Sequence, residues 1–372
     1  MVVKPLQKLA LLSCMLLSVS VKAAPVYKAV PLGSLGGMSG DVRRVNALGD
    51  VVGYALTSGN INNAYQSSGG AMTALYPAPG ASSHAFGIND DGAVVGFVKD
   101  FDGVRAVRFA GGSASDVGSL GGLNSEANAI NNSGQIAGTS DLLNGTRHAF
   151  RSSGKSGIVD LGTLGGATSK SADINSAGVV VGAADNATGS YHAFRHSGAV
   201  IEDLGTLGGL YSEATGVNDA GAVAGFSYLM GDANAHAFVF TAGGMRDLNT
   251  LGGANSYGYG INNLGDAVGS SEILGSTEKH AFLYSKGKMV DLNSLVDSSL
   301  GYTLNYAGDI NDNGQIAALG CDKLRQCQGF LLTLNDPTSS VPEPATWAMM
   351  LFGLAATLFG ARITLRQGRG PG

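Results

Sequence analysis

HAFRHSGAVIEDLGTLGG, residues His192–Gly209, is nearly the string HAFRSSGKSGIVDLGTLGG found at His148–Gly166, and looser versions begin at His236 and His280. A chain that returns to the same string at this spacing stacks one small structural unit many times. The sharpest marker of the unit is Ile or Val, then Asn, then two residues and Gly. Its Asn stands at Asn46, Asn89, Asn131, Asn175, Asn218, Asn262 and Asn311, at intervals of 43, 42, 44, 43, 44 and 49. Gly follows three residues after every Asn, and again seven residues after it in six of the seven copies, Ala318 standing in the last.

Each part has a physical reading. An Asn side chain can bond its own backbone two residues on, and Gly can close the turn at positive φ. INNSGQIAG and VNDAGAVAG therefore predict tight hairpins. The residues before Asn, as in SEATGVN, form a first strand, and the GAVAGF stretch a second. The HAF stretch forms a third, and the IEDLG stretch a fourth. TLGG then leads to the next unit. Four short strands in 42–44 residues, with no helical period, is the content of one propeller blade.

The expected fold is all-β, a seven-bladed β-propeller of four-stranded blades over residues 24–335. The opening stretch VYKAVPLGSLGG (Val26–Gly37) fits the fourth-strand slot, while the repeats end in QGFLLTL, a third strand. The simplest closed ring lets the opening strand complete the last blade, which removes an exposed edge. If the DLG strand were innermost, seven complete blades would close without exchange, so the phase stays open.

Composition narrows the function classes. Of 372 residues, 58 are Gly and only 14% are charged, with a net charge of −5. There is no basic footprint for nucleic acid. Yet 44% of residues are apolar, enough for a core.

Both ends differ from the repeats. Residues 1–23 carry Lys4 and Lys8, an apolar run, then KAAP, the order of a secretory signal cut near Ala23 or Ala24. Of the three cysteines, Cys321 and Cys327 remain after such a cut, enclosing five residues in an exported chain. A disulfide is expected there rather than a metal site, since no His stands nearby. Residues 336–344 form a linker and 345–361 an uncharged stretch of 17, about 25 Å long as a helix. That is the short limit for crossing a bilayer. The basic tail 362–372, with Arg362, Arg366 and Arg369, should stay cytoplasmic.

VPEP, a short apolar helix and a closing Arg cluster, over Val341–Arg369, resemble the PEP-CTERM sorting signal of Gram-negative bacteria. The resemblance implies recognition by an exosortase, a membrane transpeptidase-like enzyme, with cleavage near Pro342, Glu343 and Pro344. The chain would wait in the inner membrane and then pass to the cell surface or medium. The resemblance also implies an association with exopolysaccharide and biofilm matrix. A permanent tail anchor is the alternative. The repeat itself, over Val26–Thr333, resembles the HAF family of extracellular repeats, which implies an exported β-rich protein and supplies no catalytic residues.

Candidate chemistry is thin. Equivalent histidines in neighbouring blades would stand about 10 Å apart, too far to share a zinc; each is expected to bond a turn instead. LGTLGG precedes a strand, so it is no dinucleotide fingerprint. INDDG and INDNG hold too few carboxylates for an EF-hand-type calcium loop. Neither a metal nor any other cofactor is expected, and no catalytic residue. An enzyme would show acids converging in one pocket with shifted pKa values.

Recognition is expected on the face that carries the second-to-third linkers and the TLGG crossovers, where the repeat varies most. The candidates there are Tyr54, Asp100, Asp102, Arg147, Tyr191, Tyr228, Asp232, Lys323 and Arg325. The expected role is non-catalytic binding or scaffolding, with an extracellular polysaccharide or a surface protein as partner. A glycan-active enzyme is the alternative.

Overall fold

The computed structural model of the protein describes residues 26–153 and 157–335. The expected signal peptide, the linker, the apolar segment 345–361 and the basic tail lie outside the described residues. Among the described residues no helix is long and apolar enough to cross a membrane. The helical content of the described residues is two single 3-10 turns, Leu292–Ser294 and Ser298–Leu300. The second falls on the insertion that lengthens the last repeat interval to 49.

The strands are arranged as a β-propeller of small antiparallel sheets. A typical unit runs Gly208–Val217, Val223–Leu229, Ala235–Thr241 and Gly244–Asp247, each strand pairing with the next. The first strands of successive units touch one another, which makes the SEATGVN strand innermost and the DLG strand outermost. The expectation of seven separate sheets needs correction. Among the described residues there are six, five of four strands and one of eight, because a single parallel bridge, Tyr191 to Tyr211, merges two neighbours. Nor does one continuous ladder close the ring; the sheets meet through side chains. The opening strand Tyr27–Pro31 pairs antiparallel with Cys327–Leu334, as the outermost member of the last sheet.

The repeated residues hold neighbouring sheets together. Each HAF strand is sandwiched between sheets, so Ala and Phe are both buried although they alternate: Ala237 and Phe238 are fully covered, as are Ala193 and Phe194. The amide of that Ala donates to a Ser on the next inner strand, as Ala237 does to Ser256 Oγ at 2.9 Å and Ala193 to Ser212 Oγ at 2.8 Å. Clusters such as Val181, Ala193, Leu204, Ala214, Val217, Val223 and Phe238 fill the gap between two units. A Cβ on Gly225, the Gly seven residues after Asn218, would run into the Glu213 carbonyl and the Phe238 ring.

The Asn of each turn serves two units. Asn218 Oδ1 accepts from the amide of Ala222 at 2.9 Å, closing its own turn, and Nδ2 donates to the Asn262 carbonyl at 3.0 Å. The same donation passes from Asn46 to Asn89, Asn131, Asn175 and Asn218, then from Asn262 to Asn311. Asn311 donates in turn to the Asn46 carbonyl at 2.8 Å.

Candidate functional site

The inner strands turn two positions per unit toward the axis, three and five residues before Asn. The deeper level holds Arg43, Phe86, Asn128, Ala172, Thr215, Tyr259 and Gly308. The shallower level holds Asp41, His84, Glu126, Lys170, Glu213, Tyr257 and Tyr306. Most of them line one axial cavity of about 870 Å³. Gly145, Arg147 and Tyr191, from second-to-third hairpins, also line it, so its mouth lies on the expected face.

Its charges are paired. Lys170 Nζ stands 2.8 Å from Glu213, whose other contact is the Tyr211 hydroxyl, donating at 2.7 Å. Arg43 stands 2.9 Å from Asp41, and Arg147 bridges Glu126 at 3.5 Å and Asp141 at 3.4 Å. Burial raises the Asp41 carboxyl above the usual range, with Arg43 pulling the other way. Three acids therefore do converge in one pocket, one of them with a shifted pKa.

Aromatic rings form the walls. Tyr191 stacks on Tyr211 with centroids 5.4 Å apart, Tyr211 on Phe226 at 5.8 Å, and Phe226 meets Tyr257 edge-on at 5.1 Å. Burial, then the Glu213 charge, raises the Tyr191 and Tyr211 hydroxyls, which keeps both protonated as donors. In the first two units Tyr54 stacks on His84 at 3.8 Å, and His84 on Phe97 at 4.6 Å. Burial and the neighbouring Arg43 hold the His84 pKa down to about 4.

The floor is one ion cluster. Arg44 reaches Asp173 at 3.0 Å and Asp309 at 3.6 Å, and donates to the carbonyls of Ala172 and Thr215, each at 3.4 Å. Burial pushes Asp309 up to about 6 despite the pull of Arg44, and raises Asp173 as well.

Of the nine candidates from sequence, Arg147 and Tyr191 line the cavity. Tyr54 and Tyr228 do not line it; Tyr54 stacks on His84 and Tyr228 lies 5.7 Å from Tyr211. The other five sit at loops outside it. Asp100 pairs with Arg105 at 2.7 Å, Asp102 neighbours the exposed Phe101, and Asp232 accepts from the Leu210 amide at 2.7 Å. Lys323 and Arg325 lie in the hairpin closed by the Cys321–Cys327 disulfide. Pro342, Glu343, Pro344, Arg362 and Arg366 lie outside the described residues. The cavity-lining positions of the inner strands are not among the candidates, which come from the variable loops. Their signal was present: within S-x-A-x-x-I-N, the residues marked x differ from unit to unit while their neighbours repeat.

Each HAF histidine meets an Asp of its own sheet. His148, His192 and His236 lie 2.9 Å from Asp160, Asp203 and Asp247, and His280 lies 2.7 Å from Asp291. Each Asp also caps the following turn, as Asp247 does from the Asn249 amide at 2.7 Å. No group of three or more His, Cys, Asp or Glu among the described residues is placed to hold a metal ion.

No curated protein sequence matches the chain. Among solved structures it is similar to the β-propeller domain of the trilobed protease from Pyrococcus furiosus, which has an open velcro topology (TM-score 0.47, 8% identity, 80% of this chain and 99% of that one). It is similar to YCF48 bound to D1 peptide (TM-score 0.47, 10% identity, 85% and 97%). It is also similar to the BP39L lectin from Burkholderia pseudomallei (TM-score 0.46, 9% identity, 84% and 97%). Residues 340–369 match the PEP-CTERM protein-sorting motif. The chain thus carries a signal that implies export, recognition by an exosortase and processing at the membrane.

Proposed function

We propose that this is a surface-displayed or matrix protein whose axial cavity binds a neutral glycan without turning it over. The observation that carries the reading is the cavity wall itself. Its carboxylates and cations are paired with one another, so the wall makes no net ionic demand. The pairs still offer donors and acceptors for hydroxyl groups, and the rings of Tyr191, Phe226, Tyr259 and Tyr306 offer apolar faces of the kind that cover a sugar ring. The loops hold few aromatics, but inner and second strands supply them. The sorting signal gives the reading its setting, an extracellular or biofilm polysaccharide.

The ring we infer has seven blades, the eight-stranded sheet counting as two, and is closed by the opening strand. Pairing of Tyr27–Pro31 with the last strand supports closure. So do the Asn311–Asn46 contact and a seam core that joins Leu32, Val42 and Tyr65 to Ala317. We also read the units as HAF-type repeats of one domain, bounded at 24–335. Tyr27 lies opposite Leu334, at the Asn-turn end of the last sheet. Both ends of the domain therefore leave from the face opposite the cavity mouth, and a tail held in the membrane would leave the mouth facing outward.

The test is retention of the protein by extracellular polysaccharide. Tyr191→Ala should weaken retention about tenfold, the scale of one lost aromatic stack, while Lys323→Ala in the disulfide hairpin should leave it unchanged. The reverse pattern would move the site to the loops. One observation favours the enzymatic alternative, the raised pKa of Asp41 in a cavity that Glu126 and Glu213 also line. Glycan cleavage that is lost in Asp41→Asn would establish it.

A further inference from the structure

We propose that the cavity is a blind cup that reads the free end of a glycan chain, not its interior; this rests on the reading of the cavity as a glycan site. The position two residues before each turn Asn decides it. In four units that position is Gly87, Ala129, Gly216 or Gly260, with little or no side chain. In the other three it is Arg44, Asp173 and Asp309, whose side chains meet on the axis. The inner strands are too close there for anything larger. A Cβ on Gly260 would stand 2.6 Å from Asp309 Oδ1, and one on Gly216 would stand 3.1 Å from the Tyr259 carbonyl.

Below this floor the Asn side chains bond from unit to unit. A polymer cannot thread past Arg44, and walls rising on every side keep an extended chain from lying across the base. A chain end, or a side branch, can descend. Tyr191 and Arg147 at the mouth meet it first, and the Lys170–Glu213 and Arg43–Asp41 pairs supply hydrogen bonds below. A volume of about 870 Å³ takes a few sugar residues and no more.

The experiment is calorimetric titration of the full chain, held in a detergent without sugar headgroups. The probes are neutral glucan, galactan and mannan oligosaccharides of increasing length, their parent polymers, and cyclic glucans. For the sugar that binds, affinity per chain should rise over the first few residues and then stay within about twofold up to the polymer. A cyclic or end-blocked form of that sugar should bind at least about tenfold more weakly. Affinity that keeps rising with chain length, or equal binding of cyclic and linear forms, would overturn end-reading while leaving the glycan site intact. Binding to none of the panel would overturn the glycan reading as well.

Discussion

Gly225 shows how little freedom the repeat leaves a single residue. Its missing Cβ makes room for the Phe238 ring, whose Cζ would otherwise lie 2.8 Å away. Gly225→Ala should cost about 1–3 kcal/mol or more in chemical denaturation. Gly59→Ala, where the nearest atom would be Thr57 Oγ1 at 3.7 Å, should stay within about 0.5 kcal/mol. Asp247 does two jobs, meeting His236 and capping the turn at Asn249. Asp247→Ala should therefore lower stability more than Asp247→Asn, which keeps an acceptor for the turn. His84 gives the fold a pH dependence. Its folded pKa, about 4, lies below that of an unfolded histidine, so above pH about 6.5 both states are neutral and the group is silent. As pH falls from there toward 4 the unfolded chain takes up the proton first, and stability drops. Denaturation at pH 7, 5.5 and 4 should show a steeper loss in the native chain than in His84→Gln.

At the scale of the strand, the turn chemistry was legible because the backbone demands it. Asn at the turn start and Gly at positive φ admit few substitutes, and Gly134, Gly178 and Gly221 all take φ near +77°. The phase of the strands was not legible. Sheets packed on both faces bury alternate residues of either parity, so burial period does not say which strand is innermost. The cavity was hidden for a related reason. Glu126, Lys170 and Tyr257 occupy one register position with nothing chemically in common, and a reading that follows repetition passes over them. The disulfide spans a hairpin of the last sheet, where Gln328 stands in place of the His that four other units carry and no His–Asp clamp is available. Cys321→Ser with Cys327→Ser should cost about 2 kcal/mol, the chain-entropy value for so short a loop, read by denaturation with and without reductant.

For the whole molecule, sorting and closure are the two consequences. Trp347 is the one tryptophan of the chain and follows the Pro342–Pro344 motif. Protein processed there should lack tryptophan emission and keep only its tyrosine signal; surface protein with full tryptophan emission would mean that the tail is retained. Closure is the claim on which the cavity depends, because Arg44 of the first unit and Asp309 of the last share its floor. The opening strand makes the seam through the Tyr27–Leu334 to Pro31–Phe330 register and through Leu32, whose amide donates to the Gly329 carbonyl at 3.0 Å. Hydrogen exchange of the peptide covering residues 26–32, followed by mass spectrometry, tests that seam directly. A closed ring protects the amides of this edge strand that face the last strand, and that of Leu32, far beyond those of an unstructured peptide. Exchange as fast as in an unstructured peptide would mean that the ends do not meet, and the cup would be lost with them.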